Sequence, residues 1–225
     1  MAAHGRLTVA AIVVAGGAGV RLGVGVPKAF VTVRGRTLLE HAVARFAAHP
    51  GIRDVVAVVP LDRVTDASTA LPGATVVAGG VTRQRSVACG LAALAADVDT
   101  VLVHDAARAF LPAAMVSRVL GALDGGAQAV VPTIALADSL RTISADGTVG
   151  GAVDRATLVA VQTPQGFART VLDAAHDAAV SDDASDDATL VEALGVAVLA
   201  VAGAEEAVKI TGPLDLVIAE ALADE

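Results

Sequence analysis

The sequence has a single cysteine, Cys89, no tryptophan or tyrosine, and only two lysines, Lys28 and Lys209, among 16 basic residues. One cysteine excludes an intrachain disulfide and a cysteine-rich zinc site, and it fits a reducing cytoplasm. His4, His41, His49, His104 and His176 show no metal-ligand spacing. Long apolar runs are missing as well, although 55% of the 225 residues are hydrophobic and the mean hydropathy is +0.68. The most apolar stretches, 7–15 and 193–204, fall short of the ~20 residues of a spanning helix, and both read as buried strands. The first runs into a glycine-rich loop that a cleaved leader would destroy, which argues against a signal peptide. Positive charge is scarce: 16 Lys+Arg against 24 Asp+Glu leave a net charge of −8. That balance excludes a polybasic nucleic-acid or membrane binder as the default, but a few cations can still converge on a small polyanion. So apolar a chain is not disordered. Its length fits one domain, 1–225.

Hydrophobic periodicity predicts strands at 8–14, 54–59, 74–78, 100–104, 127–131 and 196–201, the fifth closed by Pro132. It predicts helices at 37–49, from a Thr82 cap to 96, from Pro112 to about 123, and at 168–179, 188–194 and 213–222. Alternating strands and helices imply an α/β fold with a mostly parallel sheet covered on both faces. Asp146-Gly147 between 139–143 and 148–153 signals a β-hairpin. It is less apolar than the strands before it and is expected to leave the body as an arm, at about 136–158. The acidic stretch 181–187 reads as a solvated loop or helix start.

Ligands of open parallel sheets bind beyond the carboxyl ends of the strands, which directs attention to loops 15–28, 79–86 and 104–109. The first matches neither G-x-G-x-x-G nor a Walker loop. It offers instead backbone amides freed by Gly16, Gly17 and Gly19, followed by Arg21 and Lys28, a pattern suited to an anion. A plain glycine turn is the alternative. With arginine used almost everywhere, the two lysines are either chance survivors or places where a compact ammonium is wanted. Asp105, at the end of a buried strand, suits Mg²⁺ or a sugar hydroxyl, with Ala106 and Ala107 small enough for close approach. An Asp–Arg pair that only ties the loop is the other reading. His104 reads as structural. Ser86 can bind a ligand or bond its own helix backbone, and Cys89 reads as an inert core thiol.

Together, AGGAGVRLGVGVPKAF, GGVTRQRSV, VLVHDAARAF, VDRATLVAVQTPQGF and VKITGPLDL resemble, in this order, the 2-C-methyl-D-erythritol 4-phosphate cytidylyltransferases over residues 9–221. The resemblance implies a Rossmann-like nucleotidyltransferase fold. It implies transfer of a cytidylyl group from CTP to methylerythritol phosphate, with pyrophosphate released, in non-mevalonate isoprenoid synthesis. It further implies Mg²⁺ dependence, a cytoplasmic homodimer, and an arm reaching over the partner's site. Residue by residue, Arg21 and Lys28 match the catalytic cations. Arg155, Lys209, Arg108, Ser139 and Thr163 match substrate-positioning residues, with Ser139 and Arg155 acting across the dimer. Ala15, Gly16, Gly17, Gly80, Ser86 and Ala106 match nucleotide-binding positions, and Asp105 the metal position. Ala109, Ser139 and Ala207-Val208 depart from the usual Pro, Thr and Asn-Ile. A ribitol 5-phosphate acceptor and a catalytically silent nucleotide-binding protein are the alternatives.

Overall fold

The computed structural model describes residues 7–16 and 27–223; Gly17, Gly19 and Arg21 lie outside the described residues. The apolar run VAAIVV forms strand β1 (Val9–Val14). A small hairpin, β2 (Thr32–Val33) and β3 (Arg36–Thr37), leads into helix α1 (Leu38–Ala47). A capping box starts α1: Thr37 Oγ1 accepts from the Glu40 amide, and Glu40 accepts from the Thr37 amide at 2.7 Å. Then come β4 (Asp54–Val59), α2 (Val64–Ala70), β5 (Thr75–Ala78), α3 (Arg83–Ala92), β6 (Thr100–Asp105), α4 (Ala113–Asp124) and β7 (Ala129–Ala135). The arm is β8 (Leu140–Ile143) paired with β9 (Val149–Val153) around a positive-φ Gly147. The chain closes with β10 (Val159–Val161), β11 (Gln165–Ala168), α5 (Arg169–Ala178), α6 (Asp187–Ala193), β12 (Leu199–Ala202) and α7 (Pro213–Leu222).

The main sheet runs β10-β7-β11-β6-β1-β4-β5, with β12 also paired to β7. β5, β4, β1 and β6 are parallel, as is the β7–β12 pair, whereas β10 and β11 run antiparallel to their neighbours. β1 shows why the sheet must be covered twice. Val9, Ala11 and Val13 pack with Leu39, Phe46, Met115 and Val119 of α1 and α4. Ala10, Ile12 and Val14 face Val87, Leu91, Leu172 and Val191 of α3, α5 and α6. A small third cluster, with Val33, Leu38, Phe110, Ile210 and Ala219, fastens α7 and the segment before it. No described helix is long and apolar enough to cross a membrane.

Three expectations are corrected, and two strands are present that the periodicity does not predict. β7 does not stop at Pro132 but runs to Ala135, because the missing N–H lies opposite the break between β10 and β11. The expected strand 196–201 shrinks to β12, an edge strand whose Leu199 is half exposed; it pairs only with β7 among the described strands. β10 and β11 had no periodic signal, being three and four residues long and split at Pro164. Cys89 is half-buried rather than a core thiol.

Two core positions bear on the site. Gly90 lets α3 lie close to β1 and β4: a Cβ there would stand 2.6 Å from Ile12 Cγ2 and 3.1 Å from Val58 Cγ2. Gly90→Ala is therefore expected to destabilise the protein by about 1–3 kcal/mol despite alanine's better helix propensity, measured by denaturant unfolding. His104, fully buried and edge-on to Phe46 at 4.9 Å, is neutral. Its Nε2 faces the Arg108 carbonyl at 3.2 Å and its Nδ1 the Thr163 hydroxyl at 2.9 Å. Burial pushes its pKa down to about 4 from 6.5, against the smaller opposing effect of Asp105. The unfolded chain thus takes up the proton first. Stability is expected to fall between pH 6.5 and about 4 by up to ~1.4 kcal/mol per pH unit. Urea unfolding of the parent and His104→Gln across that window should show a shallower slope in the variant.

Candidate active site

The carboxyl ends of β1, β5 and β6 meet at one edge of the sheet, and a cavity of about 280 Å³ opens there. Ala15 and Gly16 line it from the end of β1, Gly80 from the β5–α3 loop, Ser86 from the start of α3, and Asp105 from the end of β6. Lys28 and Lys209, the chain's two lysines, line the same cavity. Each is delivered by local anchoring. Lys28 begins a short 3₁₀ turn after Pro27 whose Ala29 is buried. Lys209 precedes the fully buried Ile210, whose amide bonds the Ala107 carbonyl at 2.8 Å. Thr82 caps α3 by accepting from the Arg85 amide at 3.1 Å, and Thr82 and Arg83 at this helix start line the cavity. Gly80 leaves room for this turn, since a Cβ would fall 2.4 Å from Arg85 Cβ. The Ser86 hydroxyl donates to the Thr82 carbonyl at 2.8 Å, and its oxygen keeps lone pairs for a ligand in the cavity it lines.

Asp105 is the electrostatic centre. Lys209 Nζ stands 2.6 Å from Oδ2 and Arg83 Nε 3.3 Å from Oδ1. Burial alone would favour the neutral acid, but Arg83 and Lys209 outweigh it and hold the carboxyl well below its usual range. The Asp105 amide donates to Thr163 Oγ1 at 3.1 Å, the same hydroxyl that faces His104. That linkage fixes the backbone at the end of β6 against the loop between β10 and β11.

Several expected residues take supporting places. Ala106 is buried beside the cavity and Ala107 lines it. Arg108 does not form the side-chain hydrogen bond to Asp105 that a loop tie would need. Its Nη1 donates to the Ala207 carbonyl at 2.8 Å and its Nη2 to the Val161 carbonyl at 3.4 Å. Ser139 and Arg155 do not line the cavity; they are exposed at the base of the arm, with Arg155 Nη1 donating to the Ala137 carbonyl.

Arg83 is a cavity-lining residue absent from the expected set. It sat inside the GGVTRQRSV motif, next to a helix cap, but its sequence neighbourhood does not reveal Asp105 as its partner. Asp187 is a second surprise. The acidic stretch was expected to be solvated, yet Asp187 is buried against Arg83 Nη1 at 2.7 Å and His176 Nε2 at 2.9 Å.

The family model described as 2-C-methyl-D-erythritol 4-phosphate cytidylyltransferase (IspD) matches residues 9–225. The protein of that name from Rhodococcus opacus is 47% identical over 224 residues, covering 99% of this chain and 98% of that one. Its namesake from Streptomyces coelicolor is 47% identical over 227 residues, covering 95% and 84%. Among solved structures, the 2-C-methyl-D-erythritol 4-phosphate cytidylyltransferase of Thermus thermophilus is 40% identical, covers 95% of this chain and 98% of its own, and superposes with a TM-score of 0.78. The 4-diphosphocytidyl-2C-methyl-D-erythritol synthase of Anaerococcus prevotii reaches a TM-score of 0.84 at 25% identity, covering 97% of both chains. With the family model matching residues 9–225 and relatives 47% identical over nearly its whole length, the chain belongs to the 2-C-methyl-D-erythritol 4-phosphate cytidylyltransferase family.

Proposed function

We propose that the cavity around Asp105, Lys28 and Lys209 is where this cytidylyltransferase of the non-mevalonate isoprenoid route binds CTP and joins it to 2-C-methyl-D-erythritol 4-phosphate. The observation that carries this reading is that both lysines of an acidic chain line one cavity, beside glycine-rich loops and a helix N-terminus. A phosphate-monoester oxygen of the acceptor attacks the α-phosphorus of CTP. The new P–O bond forms as the bond to the β-phosphate's bridging oxygen breaks, and pyrophosphate leaves. The nucleophile is already ionised near neutral pH, so no general base is needed. His104, buried and neutral, supplies none. The difficulty is repulsion between anions, so catalysis rests on alignment and on positive groups placed where charge develops.

In this reading Lys28, together with Arg21, which lies outside the described residues, stabilises the charge on the α-phosphate. Lys209 and Arg108 serve the acceptor phosphate and its surroundings. Ala15, Gly16, Gly17, Gly80, Ser86 and Ala106 hold the nucleotide, and Thr163 steadies Asp105. Among the described residues, no cluster of three acidic, histidine or cysteine side chains could cage a metal. Mg²⁺ needs no such cage, because one carboxylate and substrate phosphates suffice. The deeply ionised Asp105 fits that role, and a bound Mg²⁺ would neutralise phosphate charge there. Lys28→Ala is expected to lower kcat by about 10²–10³-fold with little change in CTP affinity, since it removes charge stabilisation of the transition state. Steady-state pyrophosphate release and CTP calorimetry check both numbers; near-normal turnover would refute the role.

The exposed arm supports a homodimer in which Ser139 and Arg155 serve the partner's site. Arm residues Ile143 and Val149 are 73% and 64% exposed, large for side chains without a partner surface. We read the chain as one domain, with the arm at 136–158, working in the cytoplasm. If sites are shared, Lys28→Ala and Arg155→Ala proteins, each nearly inactive, should regain about a quarter of parent activity after subunit exchange, because half the dimers are mixed and each carries one intact site. No recovery, with exchange confirmed by mass, places Arg155 in its own subunit's site.

A further inference from the structure

Asp105 is the near end of a row of charged groups that leads from the cavity into the protein. Arg83 directs Nε to Asp105 and Nη1 to Asp187 Oδ2, and Asp187 Oδ1 meets His176 Nε2. Asp187 opens α6 and His176 lies on α5; their side chains are 1% and 7% exposed. Neither reaches the cavity. Around them α5 and α6 pack through Leu172, Ala175, Ala188 and Val191, a setting where apolar side chains are usually at least as stable as ion pairs. The position of the carboxylate is also fixed. Gln165 of β11 donates to Asp186 Oδ2 at 2.7 Å and accepts from the Ala188 amide at 3.2 Å, which ties the start of α6 to the strand beside β6. Burial opposes the charge on Asp187, but the His176 hydrogen bond and the Arg83 guanidinium outweigh it and keep the carboxyl below its ordinary value.

Charge arithmetic supplies a reason for this arrangement. Arg83 and Lys209 both pair with Asp105, so one cation there is in excess; Asp187, paired with Arg83, offsets it. An unbalanced Arg83 would compete directly with any cation for Asp105, and in a partly buried site that competition is strong. We propose that Asp187, steadied by His176, is a positioning residue for the transfer reaction: it aims Arg83 at Asp105 and offsets its charge, so that Asp105 can still take a divalent cation. The inference rests on the reading of Asp105 as the cation's ligand.

The test is calorimetric titration of the full-length protein with CTP across a series of Mg²⁺ concentrations, without acceptor, so that nothing turns over. Asp187→Asn is expected to raise the Mg²⁺ concentration for half-maximal CTP binding by about tenfold or more. In an Arg83→Met background the same substitution should shift nothing further, because Asp187 acts through Arg83. His176→Phe should move Mg²⁺ dependence in the same direction, and His176→Gln, which keeps an N–H donor, should restore it. A purely structural role would lower the melting temperature without these selective shifts. A folded Asp187→Asn protein with parental Mg²⁺ dependence, or one equally shifted with and without Arg83, overturns the proposal. If Asp187→Asn does not fold, parental dependence in His176→Phe overturns it. Asp105→Asn separates the two readings: no shift there overturns both, whereas a shift there without one in Asp187→Asn overturns only the role of Asp187.

Discussion

A largely buried carboxylate must remain ionised at the end of β6, and much of the site's arrangement follows from that requirement. Asp105 is 13% exposed at its side chain, too little for water alone to stabilise its charge. Compensation comes from Arg83 on α3 and from Lys209, far away in sequence. Both cations can arrive only if α3 packs closely on β1 and β4 and the segment before α7 docks through Ile210. The apolar contacts at Gly90 and in the small third cluster are therefore part of the electrostatics. They set the distances at which a charge pair is worth its desolvation.

The same constraint reconciles an acidic protein with a polyanionic substrate. A net charge of −8 spread over the whole chain says little about a cavity where lysines converge and acidic groups are already paired. Arginine takes the forked positions, as Arg83 does between two carboxylates and Arg108 between two carbonyls. Lysine remains where a single compact charge meets the cavity. His104 shows the complementary device. A titratable group beside Asp105 is kept neutral by burial, so it adds no competing charge to the cluster.

Much of the fold was legible because its signals are local. Asp54–Val59 and Pro213–Leu222 emerge with the bounds the periodicity gives, Thr82 caps the helix it was expected to cap, and Thr37, expected as a first helical residue, is the cap of α1. The segments that escaped are those whose conformation is set by partners. β10 and β11 exist because β7 and β6 pair with them. β7 continues past Pro132 because the opposing ladder is broken there. Within the site, glycine loops, lysines and Asp105 were visible as residue types at strand ends. Arg83 was not, since an arginine on the first turn of a helix is ordinary until its partner, 22 positions on, is known. Asp187 was hidden for the same reason, because nothing local separates it from the exposed Asp183 and the half-buried Asp182 and Asp186.

Sequence alone determined the alternation of elements, the presence of an arm hairpin and the motifs that mark the family, because backbone propensity and side-chain period act over a few residues. Tertiary structure decided which of many charged side chains face one another. It paired Arg83 with Asp187 across 104 positions and Lys209 with Asp105 across another 104. It also left Ser139 and Arg155 outside the cavity of their own chain. Coulomb energy depends on separation in space and on burial, and neither is written in any stretch of sequence short enough to carry a pattern.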